Sequence, residues 1–445
     1  PAAPYTNWGM AATAIQPAID EAASGDEILV APGTYYLSGS SVNIPVEKTL
    51  ALRSTQSRAA IIDAQGLSPG VWIQGTNSVL EGFTVRNGLN DSRGGGIVIG
   101  RICTVRDCLV TSNRAFGGGG ILVYGEATHT RVEACTISDN VVEEKGGGVA
   151  LYNNSYGCLD RCVIRDNVAS NNAGGVWIQM GGTISNCWIT GNRALQYDGG
   201  GIQLQYEGTT NPAVVVNSVI AGNSAARYGG GVYSDGPAGT LSPIVNCTIV
   251  SNSAGLNGGG AFAYTTRFVN DILYFNSAPT NANLNAHDTE HSCVISNCCT
   301  TSNYFWPSIT NAPAFVNAAA GDFRLATASF CIDAGTTNGA PRSDIDGHPR
   351  PRIGVPVLLG SATTNCDMGA YEYGFHFNSI AAVSSNAVRL QWDVQDVGRY
   401  RLDAATNAAA DPRHPVWNSV MTHTQSVIIG AGQYAVYTTT VTNPA

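Results

Sequence analysis

The sequence predicts an all-β solenoid, a right-handed parallel β-helix, and three observations predict it. A Gly pair or triplet recurs just ahead of Ile97, Ile121, Val149, Val176, Ile202, Val232 and Ala261, in steps of 24, 28, 27, 26, 30 and 29 residues. A second motif follows at a near-constant distance: TVRDCLVTSN, RVEACTISDN, LDRCVIRDN, TISNCWITGN, VVVNSVIAGN and PIVNCTIVSN. It ends on Asn113, Asn140, Asn167, Asn192, Asn223 and Asn252, with Asn276 next in line. Both motifs alternate apolar and polar residues with the period of a strand. Repeats of about 20–50 residues mark stacked arrays, and strands this short bury a core only against neighbouring coils. Each coil therefore reads as two short strands separated by turns of variable length.

Composition agrees with a stacked array. Of 445 residues 52 are Gly and only 12% are charged, a balance that suits Asn-, Ser- and Gly-rich turns better than an ordinary globular surface. The net charge of -9 argues against nucleic acid and anionic lipid as partners, which need a basic surface to neutralise a row of phosphates. Lys48 and Lys145 are the only lysines. No run of about 18 apolar residues exists, so no membrane span is expected in this chain. The chain opens on Pro1 rather than Met, which fits a processed export product and an extracellular or bacterial cell-surface location.

Taken in order, residues 1–50 read as a cap and first strands. Ala12, Ile15, Ala18, Ile19 and Ala22 fall at helical spacing and Gly25 stands where such a helix stops. This amphipathic helix is expected to cover the open end of the first coil. Residues 51–310 are the coils, in which glycines let successive backbones approach closely. The repeated Asn is expected to form an internal ladder from coil to coil. Cys108, Cys135, Cys162, Cys187 and Cys247 share one repeated position and are expected to point inward as a column of small apolar residues. Residues 311–373 read as a closing segment. From 374 to 445 the segments AVRLQWDVQ, RYRLDAAT, PVWNSVMT, QSVIIG and QYAVYTTTVT alternate without Gly triplets, as in a small β-sandwich.

On these residues a resemblance rests. IQPAIDEAASGDEILVAPGTYYL looks like the N-terminal cap of pectin-lyase-like β-helix proteins. The Gly-led Ile/Val motif and the Asn-ended motif are similar to the repeats of polymorphic outer-membrane proteins. CCTTSN, PAFVNAAAGDFRL, FCIDAGT, DIDGHPR and DMGAYEY resemble choice-of-anchor proteins of exported bacterial repertoires, and the last segments resemble fibronectin-like modules. The resemblance implies fold and export; it does not imply an activity.

Function then rests on the residues that point out of the coils. The residue after each Gly points inward, so alternate positions point outward. Candidate ligand-binding residues on this face are Tyr124, Tyr152, Trp177, Gln179 and Gln203, continued by Gln205, Tyr233, Phe262 and Tyr264. Aromatic faces stack on sugar rings and amides pair with hydroxyls, although rings on a β surface also pack on one another. A lyase needs a cation for the uronate and a base, and a glycosidase needs two carboxylates about 5–9.5 Å apart. The candidates for catalysis are Asp198, Asp235 and Lys145, with Arg93, Glu126, Glu207 and Arg227 also at the margins; marginal charges otherwise solvate turns.

Two metal-like patterns are weak. His287-Asp288-Thr289-Glu290-His291 matches H-x-x-E-H, which ligates zinc only on a helix, and here lies in a polar stretch between strands. Asp344-Ile345-Asp346-Gly347 is a short Ca²⁺-loop pattern without the later bidentate Glu, and an Asx-turn is its ordinary role. No cofactor and no metal ligand set is therefore expected, Ca²⁺ being the one candidate ion. Cys331 and Cys366 are the expected disulfide, given an oxidising compartment. Two functions follow: a structural or adhesive surface rod that contacts a glycan and self-associates end to end, or a polysaccharide lyase or glycoside hydrolase on the same face.

Overall fold

The computed structural model describes residues 7–127, 129–152, 156–205, 212–236, 241–286, 293–301, 307–350 and 365–373, plus the backbone of strands at 376–384, 387–393, 404–405, 417–418 and 437–440. Residues 1–313, 330–353 and 363–372 form one compact unit. It is a parallel β-solenoid. Among the described residues its first sheet, starting at Glu27–Val30, has eleven strands. The second, starting at Gly33–Tyr36, also has eleven, and the third, starting at Val42–Ile44, has ten. A lateral fourth sheet of seven very short strands runs from Leu89–Arg93 to Ser253–Ala254.

One coil visits the four sheets in turn, as in Ile97–Arg101 of the third, Cys103–Arg106 of the first, Leu109–Thr111 of the second and Arg114–Gly117 of the fourth. The expected two strands per coil are thus three and a short lateral one. The TVRDCLVTSN motif bends at Asp107, whose φ is 49°, and its equivalents Ala134, Arg161, Asn186, Asn217, Asn246 and Asn270 bend alike. A turn made by one left-handed residue leaves almost no break in the alternation, which is why the sequence reads as a single strand there. Five of these eight αL positions, with Asn297, are Asn, the residue after Gly that tolerates this conformation best.

Inside the coils Ile97, Ile121, Val149, Val176, Ile202, Val232 and Ala261 are fully buried, so the residue after each Gly does point inward. The Asn ladder is continuous. Asn113 Nδ2 donates to Asn140 Oδ1 (2.9 Å), and the same bond joins Asn140 to Asn167, Asn167 to Asn192, Asn192 to Asn223, Asn223 to Asn252 and Asn252 to Asn276 at 2.9–3.0 Å. The last rung is Asn276 to Asn283 at 3.2 Å. Each Oδ1 also accepts the previous ladder Asn's backbone N–H, as Asn192 does from Asn167 at 3.1 Å, so the turn's backbone is satisfied where water does not reach.

The cysteine column is present too, with two changes. Phe83 precedes it, Ser218 stands between Cys187 and Cys247, and Asp271 stands between Cys247 and Cys298. Asp271 is fully buried and accepts the N–H groups of Cys247 (2.7 Å) and Val269 (2.9 Å). Burial holds its carboxyl far above the usual carboxylate range, against the pull of those two N–H groups.

The helix Ile15–Glu21 covers the first coil with Ile15 and Ile19. Gln16 pairs both ways with the backbone of Asn43, Nε2 donating to Asn43 O (3.2 Å) and Oε1 accepting Asn43 N–H (2.8 Å). An amide side chain thus replaces the missing neighbour of the third sheet's first strand. Lys48 Nζ donates to the carbonyls of Ile19 and Asp20 at the helix C-terminus (2.8 and 2.6 Å).

Residues 330–350 and 365–372 lie along the flank of the coils, on the left-handed Asn turns. Asn217 Nδ2 donates to Ser343 O (2.5 Å), Asn246 Nδ2 to Asp367 O (3.0 Å), Asn270 Nδ2 to Thr336 O (2.8 Å) and Asn297 Nδ2 to Ala334 O (3.1 Å). Inside this segment Arg350 is buried and donates to Glu372 Oε1 (2.9 Å) and Gly369 O (3.0 Å). The Asp344 carboxylate accepts the N–H groups of Asp346 (3.0 Å), His348 (2.7 Å) and Glu372 (2.9 Å) and meets His348 Nδ1 at 3.1 Å. The DIDG pattern is an Asx-turn whose first carboxylate is already engaged.

The expected bond between Cys331 and Cys366 is not formed; all twelve cysteines are free thiols. Cys366 Sγ instead donates to Thr336 O (3.2 Å) and accepts from Asn270 Nδ2 (3.5 Å), while the Cys331 thiol meets that of Cys299.

The second unit comprises residues 314–329, 354–362 and 373–445. Phe315–Asn317 and Asp322–Leu325 pair antiparallel in it. Strands His376–Ser384, Ala387–Asp393 and Tyr437–Thr440 form an antiparallel sheet.

Candidate functional site

The outward side of the third sheet carries two rows. Strand register aligns Trp72, Val98, Leu122, Ala150, Trp177, Gln203, Tyr233 and Phe262 in the first. Two residues further along each strand stand Tyr124, Tyr152, Gln179, Gln205, Asp235 and Tyr264. The direction expected from alternation is the one observed.

Exposure differs from that expectation. Trp177, Gln203, Phe262 and Tyr152 are only 2%, 6%, 4% and 7% exposed. The lateral turn before each Gly-led strand folds back over the first row. The first Gly of each triplet permits this: Gly118, at φ 64°, would place a Cβ 3.1 Å from Leu122 Cβ and 3.3 Å from Ala150 Cβ, and Gly258 one 2.8 Å from Phe262 Cβ. Triplets needed for a close approach thus bury the very residues that follow them. Tyr124, Gln179, Gln205, Tyr233 and Tyr264 stay half-buried, and Asp235 is exposed.

The lateral turns contribute their own side chains beside these rows: Arg93, Glu144, Lys145, Tyr197, Asp198, Arg227 and Tyr228. Glu144, Tyr197 and Tyr228 were not among the sequence candidates. Their signal is positional, since Glu144-Lys145, Tyr197-Asp198 and Arg227-Tyr228 each occupy the two places before a Gly triplet.

These residues form three contiguous clusters. In the first, the Arg93 guanidinium lies 4.6 Å from the Tyr152 ring centre and bonds Glu144 at 3.2 Å. Burial pushes the Tyr152 hydroxyl up to about 12, with Arg93 opposing and Glu144 adding to it. In the second, Tyr152 meets Trp177 edge to face (4.2 Å), and Lys145 Nζ lies 5.1 Å over the Trp177 ring. Gln205 Oε1 accepts both Trp177 Nε1 (3.2 Å) and Lys145 Nζ (3.5 Å). In the third, Tyr228 stacks on Phe262 (4.7 Å), and Phe262 also meets Tyr233 (5.8 Å) and Tyr264 (5.2 Å). Arg227 lies over the rings of Tyr197 (5.6 Å) and Tyr228 (5.0 Å).

Asp198 belongs to that third cluster. It accepts the Tyr228 N–H (3.1 Å) and faces Arg227 at 4.0 Å. Burial raises its carboxyl above the usual range; Arg227 and the Tyr228 N–H oppose the rise, and the charge of Asp235 adds to it. Tyr233 is raised by burial first and then by Asp235 and Asp198. The charges of Asp198 and Asp235 thus both act on Tyr233, and that of Asp235 acts on Asp198. Lys145 sits one cluster away, linked through Gln205, the register partner of Asp235. Glu207 and the His287–His291 motif lie outside the described residues. Among the described residues no three His, Cys, Asp or Glu side chains converge as a metal site.

The family described as the right-handed beta helix region matches residues 69–305. Among solved structures, the PL6 family polysaccharide lyase of Pseudopedobacter saltans is similar at 12% identity, over 80% of this chain and 96% of that chain, with a TM-score of 0.28. A likeness this distant carries no argument about activity. No curated protein matches the chain.

Proposed function

The chain belongs to the right-handed beta helix family, and on that frame we propose that it is an exported or cell-surface solenoid that contacts carbohydrate along the outer side of its third sheet. One observation carries this reading: half-buried aromatic rings and amides continue from coil to coil, from Tyr124 through Gln179 and Gln205 to Tyr233 and Tyr264, beside Tyr197 and Tyr228. Such a strip offers π faces to sugar rings and amide groups to their hydroxyls. Rings already packed on neighbours lose little freedom when a ligand binds.

A glycan-array screen of the intact chain, with Tyr124→Ala and Tyr264→Ala alongside, tests it. Binding is expected and is expected to fall about tenfold or more in each variant, the size of roughly 1.4 kcal/mol lost per contact. Undiminished binding in both would remove the site from this face. Trp177→Ala is a poor probe, because that ring is buried and its loss reports folding.

The influence of the Asp235 charge on Asp198 favours a second reading, a glycan-cleaving enzyme. A carboxyl whose proton is favoured by burial and by a neighbouring carboxylate is the kind of group that glycoside hydrolysis uses as its acid. Release of reducing ends, abolished in Asp198→Asn, would support it, with activity declining as pH rises through the raised Asp198 titration. Lack of any product across neutral and acidic glycans would leave the binding reading alone. End-to-end association completes the proposal; light scattering independent of protein concentration would count against it.

A further inference from the structure

The flank-lying segment covers the outer row of the second sheet, in register with its coils. That row runs Thr248, Ile272, Cys299. Ala370 N–H bonds Thr248 Oγ1 (3.0 Å), and Gly369 sits so close to Ile272 that a Cβ there would lie 2.7 Å from Ile272 Cδ1. Met368 N–H in turn bonds Cys331 O (3.0 Å). Continuing the same step, Cys331 falls opposite the next residue of the row, and the two thiols do meet.

From this register we propose that Cys299 and Cys331 form a disulfide when the chain folds under oxidising conditions, and that this bond staples the flank segment to the end of the coils. Neighbouring cysteines have other roles. Cys298 is adjacent in sequence, but alternation turns it inward beneath Asp271. Cys366 faces Asn270, one coil back. The cysteines of the inner column share one orientation and one register, an arrangement that rarely supplies disulfide torsions. Cys299 and Cys331 come from two different elements facing each other. Both are fully buried, so the bond forms before the segment seats or when it lifts.

The exchange balances with a small-molecule disulfide such as oxidised glutathione. Its S–S bond breaks, the Cys299 Sγ–Cys331 Sγ bond forms, and each protein thiol hydrogen leaves on one glutathione thiol. The inference is independent of the carbohydrate reading. Its test needs no ligand.

The intact chain is refolded in a glutathione redox buffer, blocked with N-ethylmaleimide under denaturant, and mapped by fragmentation of non-reduced peptides. Ten of the twelve thiols are expected to take the label, with one cross-link joining Cys299 to Cys331. The cross-link is expected to persist in Cys366→Ser and vanish in Cys331→Ser. Amide exchange in 330–350 is expected to quicken at least tenfold on reduction. Twelve labelled thiols after oxidative refolding, or a cross-link through Cys366 or Cys298, would overturn the assignment. Because the wild-type map decides the matter, a variant that fails to fold leaves the test intact.

Discussion

Asn192 makes four hydrogen bonds with one amide: it donates to Ile164 O and Asn223 Oδ1 and accepts two N–H groups from Asn167. Asn192→Ala would orphan each of those buried partners, at about 2–4 kcal/mol in total; urea unfolding of the variant beside Asn171→Ala, on a lateral turn and expected within about 0.5 kcal/mol of wild type, measures it. Asp271 departs from the column it stands in. Its folded pKa is raised, so the unfolded chain gives up that proton first and stability falls as pH climbs from the ordinary carboxylate range toward the raised value. Asp271→Cys, which restores the pattern seen where Cys162 N–H bonds Cys187 Sγ at 3.4 Å, is expected to stabilise, and by more at pH 7.5 than at pH 4.5. An equal gain at both would mean that the carboxyl's proton is not involved. The ladder was legible because Asn recurs at a fixed place in every coil. Asp271 was not, because one residue breaking a column is visible only after the column is aligned in space.

At the level of elements, glycine sets both the coil's corner and the exposure of the candidate face. Gly146 has a φ of 68°, and a Cβ there would lie 2.6 Å from Val149 O and 2.9 Å from Ala150 Cβ. Gly146→Ala should cost well over about 1 kcal/mol and lift the turn that carries Glu144 and Lys145. Trp177 fluorescence would then shift toward that of a solvated indole, and an unchanged spectrum would deny the turn its covering role. Alternation alone placed Trp177, Gln203 and Phe262 correctly on the outer side of the sheet. It gave no sign that they are covered, since the covering strand is two residues long, as at Val141–Val142 and Arg193–Ala194, too short for any periodic pattern. The same reason hid Tyr197 and Tyr228. The single-residue turns at Asp107 and Asn186 likewise concealed the third strand of every coil.

Over the whole solenoid, each coil bonds chiefly to the one before and the one after, so stability adds up by neighbours. Urea unfolding is expected to be broad or stepped, and amide exchange slowest in the middle coils; a single sharp transition with uniform protection would show long-range coupling instead. The flank segment departs from neighbour-only bonding, because it holds Asn217, Asn246, Asn270 and Asn297 at once. It makes length negotiable on one side of the molecule and fixed on the other. Excising residues 141–167 leaves Asn140 followed by Val168, the same junction that Asn167 makes, and should give a folded protein shorter by one strand spacing, about 4.8 Å. Excising 224–252 restores an equivalent junction but removes Asn246 and Thr248, and should free 330–350 to proteases. Natural variants of this architecture can therefore be expected to gain and lose coils before Asn217 and to keep their number after it, as a ruler with a sliding end and a clamped one.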